Sequence, residues 1–167
     1  MNWQDPKTWN TGDLLTAQDM NAQLRDNLRY LKDLPYMQQT IRRNSNYTTS
    51  SRSFVDIDGS NLSLTLRLAG AVMVGFLGTF QMDRSAQVCL DLLVDGVRLG
   101  NERGISCLHF SNSNVTQSFT FTFLRDQLAA GEHTFRLQWR VSSGRATLFA
   151  AAGTNDPPIF FWLRALP

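Results

Sequence analysis

Hydrophobic and polar residues alternate without a break near the C-terminal end of this chain. Phe135, Leu137, Trp139 and Val141 fall on one side; Thr134, Arg136, Gln138 and Arg140 fall on the other. A period of two is what a strand with one buried face requires. The same alternation places Leu62, Leu64, Leu66 and Leu68 against Ser63, Thr65 and Arg67, and Phe119, Phe121 and Phe123 against Ser118, Thr120 and Thr122. Asp95-Gly96 is a two-residue hairpin signal. Ala69-Gly70 reads as a turn into a strand at 71–81, and Asp83-Arg84-Ser85 as a turn into one at 86–94. Further strands are expected at 105–110, 146–151 and 159–164. Short strands parted by turns predict a mainly β protein, an antiparallel jelly-roll β-sandwich spanning 53–167.

Two strands depart from the one-sided rule. In 71–81, Val72, Val74, Phe76 and Phe80 share a face while Met73, Gly75 and Leu77 share the other. In 159–164, Ile159, Phe161 and Leu163 oppose Phe160 and Trp162. A sandwich buries only one face of each strand, so the second apolar face calls for another layer. Self-association is the simplest source of it. Met73, Phe76, Leu77, Phe160, Phe161 and Trp162 are the expected subunit interface, and either face of each strand is open as the contact.

Ahead of the sandwich the period changes. Thr16 with Asp19 resembles a capping box and opens a helix at 17–32 that Pro35 stops. Its apolar positions, Met20, Leu24, Leu28 and Leu31, form a narrow stripe on an otherwise polar helix. An isolated helix of this length is marginal in water and needs a partner. The residues before it read as an extended, irregular arm in which Trp3 and Trp9 have little sequence around them to form a pocket; with Leu14 and Leu15 they are the expected anchors. The division expected is an arm and helix at 1–35, a linker at 36–52 whose polar stretch 42–52 has no period, and the sandwich at 53–167.

Composition changes this picture little. Among 167 residues, 43% are hydrophobic, and eleven Phe and four Trp suit strands better than helices. The net charge is +2 and no basic run exceeds Arg42-Arg43, so a footprint for nucleic acid is missing. No apolar run is long enough for a membrane helix, and residues 1–6 carry no secretory signal pattern. Cys89 and Cys107 are expected as buried free thiols.

No chemistry announces itself. His109 and His133 are the only imidazoles, and the turn-plus-strand setting of His133 accounts for it structurally. Cys89, Cys107, His109 and His133 lack the paired spacing of a zinc site. Asp56-Ile57-Asp58-Gly59 opens like a calcium loop, but the later ligands are missing and a turn explains it. No phosphate-binding glycine motif occurs. No catalytic residue, metal or cofactor is expected.

The string Trp9-Asn10-Thr11-Gly12-Asp13-Leu14-Leu15-Thr16-Ala17-Gln18-Asp19-Met20-Asn21, continued by Leu24-Arg25-Asp26-Asn27-Leu28, resembles the N-terminal segment of many small tailed-phage virion proteins. The stretches 93–99 and 128–139 are similar to trimeric jelly rolls of phage fibres and heads, which are related in fold to C1q and tumour necrosis factor. The resemblance implies a homotrimer located on the virion. It implies an arm and helix (Trp3, Trp9, Leu14, Leu15, Met20, Leu24, Leu28, Leu31) that dock on capsid or tail proteins, with the sandwich displayed outward. Its last strand, 159–164, would lie near the three-fold axis. A head-decoration protein and a fibre both fit. A competing expectation from a different class is a module that binds, or an enzyme that cleaves, a host surface glycan.

Overall fold

The computed structural model describes residues 5–153 and 155–167. Helical residues come first: α1 (Ala17–Met20), a π-helical segment (Asn21–Asp26) and α2 (Asn27–Lys32), one continuous run over 17–32 as the periodicity predicts. The Thr16 hydroxyl accepts from the Asp19 amide at 3.1 Å and donates to the Asp19 carboxylate, so the capping residues act as expected.

Ten strands follow among the described residues: β1 (Tyr36–Ile41), β2 (Tyr47–Thr49), β3 (Val55–Asp56), β4 (Ser63–Met82), β5 (Ala86–Val94), β6 (Val97–Arg98), β7 (Ser106–Phe110), β8 (Thr116–Val141), β9 (Ala146–Leu148) and β10 (Ile159–Ala165). They build an antiparallel jelly-roll sandwich. In the first sheet, β1 pairs with β10, β10 with the second half of β4, and that half with the first half of β8; β9 extends the β10 side and carries β2. In the second sheet, the first half of β4 and β3 flank the second half of β8, whose other edge pairs with β5; β6 and β7 complete it.

β4 and β8 therefore belong to both layers. The alternation predicts four strands here; the structure has two long ones. Gly70, in the left-handed region at φ 90°, does not turn the chain back. It absorbs a bulge in the β4–β8 ladder, where the register shifts between Leu68 and Val72 and Gln127 also takes a positive φ. An Ala-Gly pair signals a bend to the eye, but the partner strand bends with it and pairing resumes on both sides. Asp95-Gly96, with φ 51° and 84°, is the tight hairpin expected.

The stretch 36–52 is not a linker. Its first six residues form β1, in register with β10 from Tyr36↔Arg164 to Ile41↔Ile159, and Tyr47–Thr49 is β2. β1 gives no strict alternation because it is an edge strand, exposed along most of its length with only Ile41 buried. Further anchoring comes from Arg43, whose amide donates to Ala150 O at 2.7 Å and whose guanidinium meets Asp58 and the Tyr47 hydroxyl. Burial raises the Asp58 pKa, but donors from Asn61, Ser60 and Tyr47 outweigh it and hold that carboxyl well below the usual range.

The inward residues of both sheets merge into one core. Phe76, Phe80, Phe110, Phe135, Trp139 and Phe161 are fully buried. Phe80 of the first sheet meets Trp139 of the second with ring centroids 6.4 Å apart, and Phe76 meets Phe121 at 5.6 Å.

Cys89 and Cys107 are joined in a disulfide, not free. The β5–β7 register sets them directly opposite each other, a pairing that no spacing in the sequence discloses. The bond closes a loop of 18 residues, for which chain entropy gives a stabilisation of about 3 kcal/mol. A Cys89→Ala/Cys107→Ala variant is expected to lose about that much in urea unfolding, and the same loss should follow reduction of the wild-type chain. An unchanged midpoint in both would contradict the staple.

Candidate functional site: an apolar sheet face and an outward helical stripe

The register of the first sheet fixes which side chains share its outer face. One row runs Thr40, Phe160, Leu77, Thr120; the next Gln38, Trp162, Gly75, Thr122; the third Tyr36, Arg164, Met73, Leu124. Six of these residues, Tyr36, Met73, Leu77, Leu124, Phe160 and Trp162, are large and apolar or aromatic, and each is half-buried or exposed. Threonines and Gln38 border them.

At the centre, Trp162 lies across Gly75 of the neighbouring strand: a β-carbon there would collide with the indole ring. Glycine at 75 is thus a seat for Trp162 and not a flexible point. The ring is flattened onto backbone, with one side packed and the other facing out.

Four of the six expected interface residues, Met73, Leu77, Phe160 and Trp162, stand on this face. The other two do not. Phe76 and Phe161 point inward, are fully buried within the single chain and cannot meet a second subunit. They occupy the alternate positions of the same strands, so parity alone separates core from surface. Tyr36 and Leu124 were missed. Leu124 follows Thr120 and Thr122 at period two and was legible; Tyr36 sits in the stretch read as linker.

The helix is the second apolar surface. Its polar side is turned toward its own chain: Ala22, Gln23, Asp26 and Tyr30 are half-buried and Asn27 is buried. The arm folds along this side. The Lys7 amide donates to Gln23 Oε1 at 2.8 Å, Gln23 Nε2 to Asp5 O at 3.2 Å, and Lys7 Nζ pairs with Asp19 at 3.1 Å while sitting 4.3 Å from the Trp9 ring centroid. The Asp19 carboxyl is held low by the Thr16 hydroxyl first and Lys7 second. Met20, Leu24, Leu28 and Leu31 face outward, with Leu28 65% exposed; Leu14 is 82% exposed, and Leu15 and Trp9 are open as well. Trp9, Leu15, Met20 and Leu24 line a groove of about 370 Å³. Every expected anchoring residue within the described chain is thus exposed; Trp3 lies outside the described residues. A separate cleft of about 480 Å³ lies where Tyr30, Leu34 and Pro35 at the base of the helix meet Leu68, Ala69 and Leu166 of the sandwich.

The residues weighed for chemistry have structural partners. His133 is buried, with Nδ1 2.6 Å from Asp95 and Nε2 2.9 Å from Ala129 O. Both ring nitrogens face acceptors, so the imidazolium satisfies the site with two N–H donors. The Asp95 hydrogen bond, then that to Ala129, raises the His133 pKa. Partial burial works against ionisation of Asp95, but His133 and the Thr134 amide prevail and lower its pKa. Asp56 accepts from Arg136 and Gln138, and Asp58 from the groups named above. Among the described residues no group of three His, Cys, Asp or Glu side chains is placed to hold a metal.

Among solved structures the chain is similar to the globular domain of zebrafish complement 1qA protein, with a TM-score of 0.48, 12% identity, and coverage of 81% of this chain and 98% of that one. It is also similar to Eiger TNF from S. frugiperda, with a TM-score of 0.48, 14% identity, and coverage of 80% and 94%. No protein-family model matches the chain, and no curated protein does.

Two outcomes are expected. A raised histidine pKa means that this stabilisation is full below the ordinary 6.5 and is lost as pH rises through the folded value. Thermal unfolding should therefore show stability declining as pH rises above 6.5, with the decline absent in His133→Gln and reduced in Asp95→Asn, where Ala129 still holds the imidazolium. Gly75→Ala should cost about 1–3 kcal/mol by evicting the indole. Gly131→Ala, where a β-carbon would meet open space, should be nearly neutral. Equal effects of the two alanines would refute the seat.

Proposed function

We propose that the chain is a non-enzymatic structural protein of a tailed-phage particle, a homotrimeric surface appendage. Copies meet through the outer face of the first sheet, the arm and helix dock on capsid or tail proteins, and the rest of the sandwich faces outward. The observation that carries this reading is the apolar face around Trp162. It is formed by regular strands, is covered by no other element among the described residues, and is bordered by threonines and Gln38, with Arg164 in its third row. Burying a large apolar side chain gains about 1.5–3 kcal/mol, so six such residues on each copy are a substantial drive to associate. A contiguous exposed patch of this kind marks an interaction surface.

The helix supports a second, different contact. A helix that turns Gln23, Asp26 and Asn27 inward and four apolar residues outward is built to be covered by something outside its own chain. The resemblance of 9–28 to virion N-terminal segments supports a particle protein as that cover. The virion is accordingly the proposed location.

Native mass spectrometry of the full chain at micromolar concentration is expected to give a trimer. Leu77→Glu with Trp162→Glu should reduce it to a folded monomer. Leu24→Glu with Leu28→Glu should leave the trimer intact and abolish incorporation into particles. A wild-type monomer would defeat the assembly; a trimer unaffected by the sheet substitutions would misplace its interface. Unimpaired incorporation of the helix variant would defeat the docking role.

A further inference from the structure

The outer face of the second sheet differs from that of the first. It carries Arg136, Gln138 and Arg140 of β8, alternating with the buried Leu137 and Trp139. Residues 52–54 reach this face just before β3 pairs with β8 at Trp139 and Gln138. There Arg52, Ser53, Phe54, Arg98, Glu102 and Arg140 surround a cleft of about 270 Å³. We infer that this cleft binds a small oxyanion, a carboxylate or phosphate group held by the Arg140 and Arg98 guanidinium groups beside the Phe54 ring.

The walls of the cleft are fixed. The tip of Phe54 rests where Gly104 leaves room; a β-carbon at 104 would come within 2.8 Å of it. The Arg98 guanidinium stacks 3.9 Å from the Phe54 ring centroid, and Arg140 approaches the same ring at 5.4 Å. Arg98 Nε donates to the fully buried Asp91 at 2.7 Å, and another of its nitrogens donates to Asn101 O at 2.8 Å. Asp91 is filled further by the amides of Leu92 and Gly100, each at 2.8 Å. Arg98 is thus a rigid, stacked donor whose anchor is already saturated.

Arg140 is different. It is half-buried, yet no carboxylate lies within ion-pair distance of it among the described residues, and its Nε is buried without an acceptor. A guanidinium removed from water with donors unfilled is unfavourable. It lines the same cleft as Arg52, which also has no ion pair among the described residues. Three arginines therefore gather where Glu102 is the one acid lining the cleft. A planar guanidinium fork recognises carboxylate and phosphate oxygens, paired donor to paired acceptor. The volume suits a single small molecule or one terminal group, not a polymer chain. The cleft stands on the sheet opposite the Trp162 face and is made by one chain, so it does not depend on the assembly proposed above.

The test is calorimetric titration of the full-length chain with sodium glucuronate and with inorganic phosphate, against sodium chloride at matched ionic strength. Saturable binding of either probe is expected. Glucuronate alone would point to an acidic sugar, phosphate alone to a phosphate group, and both to the shared oxyanion. Arg140→Gln should weaken binding by about tenfold or more without lowering the melting temperature. Glu102→Gln should tighten it. The inference is overturned if neither probe saturates, if chloride gives the same heats, or if Arg140→Gln binds as the wild type does.

Discussion

Pairing of β4 with β8 across both sheets is the constraint on which the rest of the architecture depends. The two strands run side by side through the sandwich, so their shared ladder sets the register of both layers together. A slip by one residue would exchange inside for outside along their full length. Phe76 and Phe121 would leave the core while Leu77 entered it. The bulge around Gly70 permits the shared ladder to bend from one layer to the next without losing that parity. β10 inherits its facing from β4, which is why Trp162 must look outward once Leu163 and Phe161 look in.

Parity was also the most legible feature of the sequence. Alternation alone groups Val72, Val74 and Phe80 on one face of β4, and the opposition of Ile159, Phe161 and Leu163 to Phe160 and Trp162 holds in the fold. What alternation does not disclose is which of two apolar faces lies inside. Phe76 and Phe161 read like their outward neighbours for that reason; the choice is made by the other sheet, not by the strand. Long-range pairings were hidden in the same way. The Cys89–Cys107 bond and the β1–β10 edge depend on which strands become neighbours, and the mixed residues of 36–41, with Gln38, Gln39 and Thr40 between Met37 and Ile41, show no strict alternation. The arginine cleft was equally invisible, since Arg52, Arg98 and Arg140 are far apart along the chain and meet only over Phe54.

The two sheets divide labour through their outer faces. One presents rings and aliphatic chains with hydroxyls around them; the other presents guanidinium and amide groups fixed by Asp56 and Asp91. The first is unfavourable in water and is relieved by covering. The second is held by those carboxylates, save for Arg140, whose Nε is buried without an acceptor. The helix repeats the contrast within a single element, its polar edge holding the arm and its leucines left open.

The seat of Trp162 on Gly75 has one more consequence. A surface tryptophan ordinarily samples several rotamers and must give up that freedom when a partner immobilises it. Here the indole is pressed onto bare backbone in the isolated chain, so its disorder is surrendered during folding and not at contact. A partner would meet a surface already frozen in its bound shape.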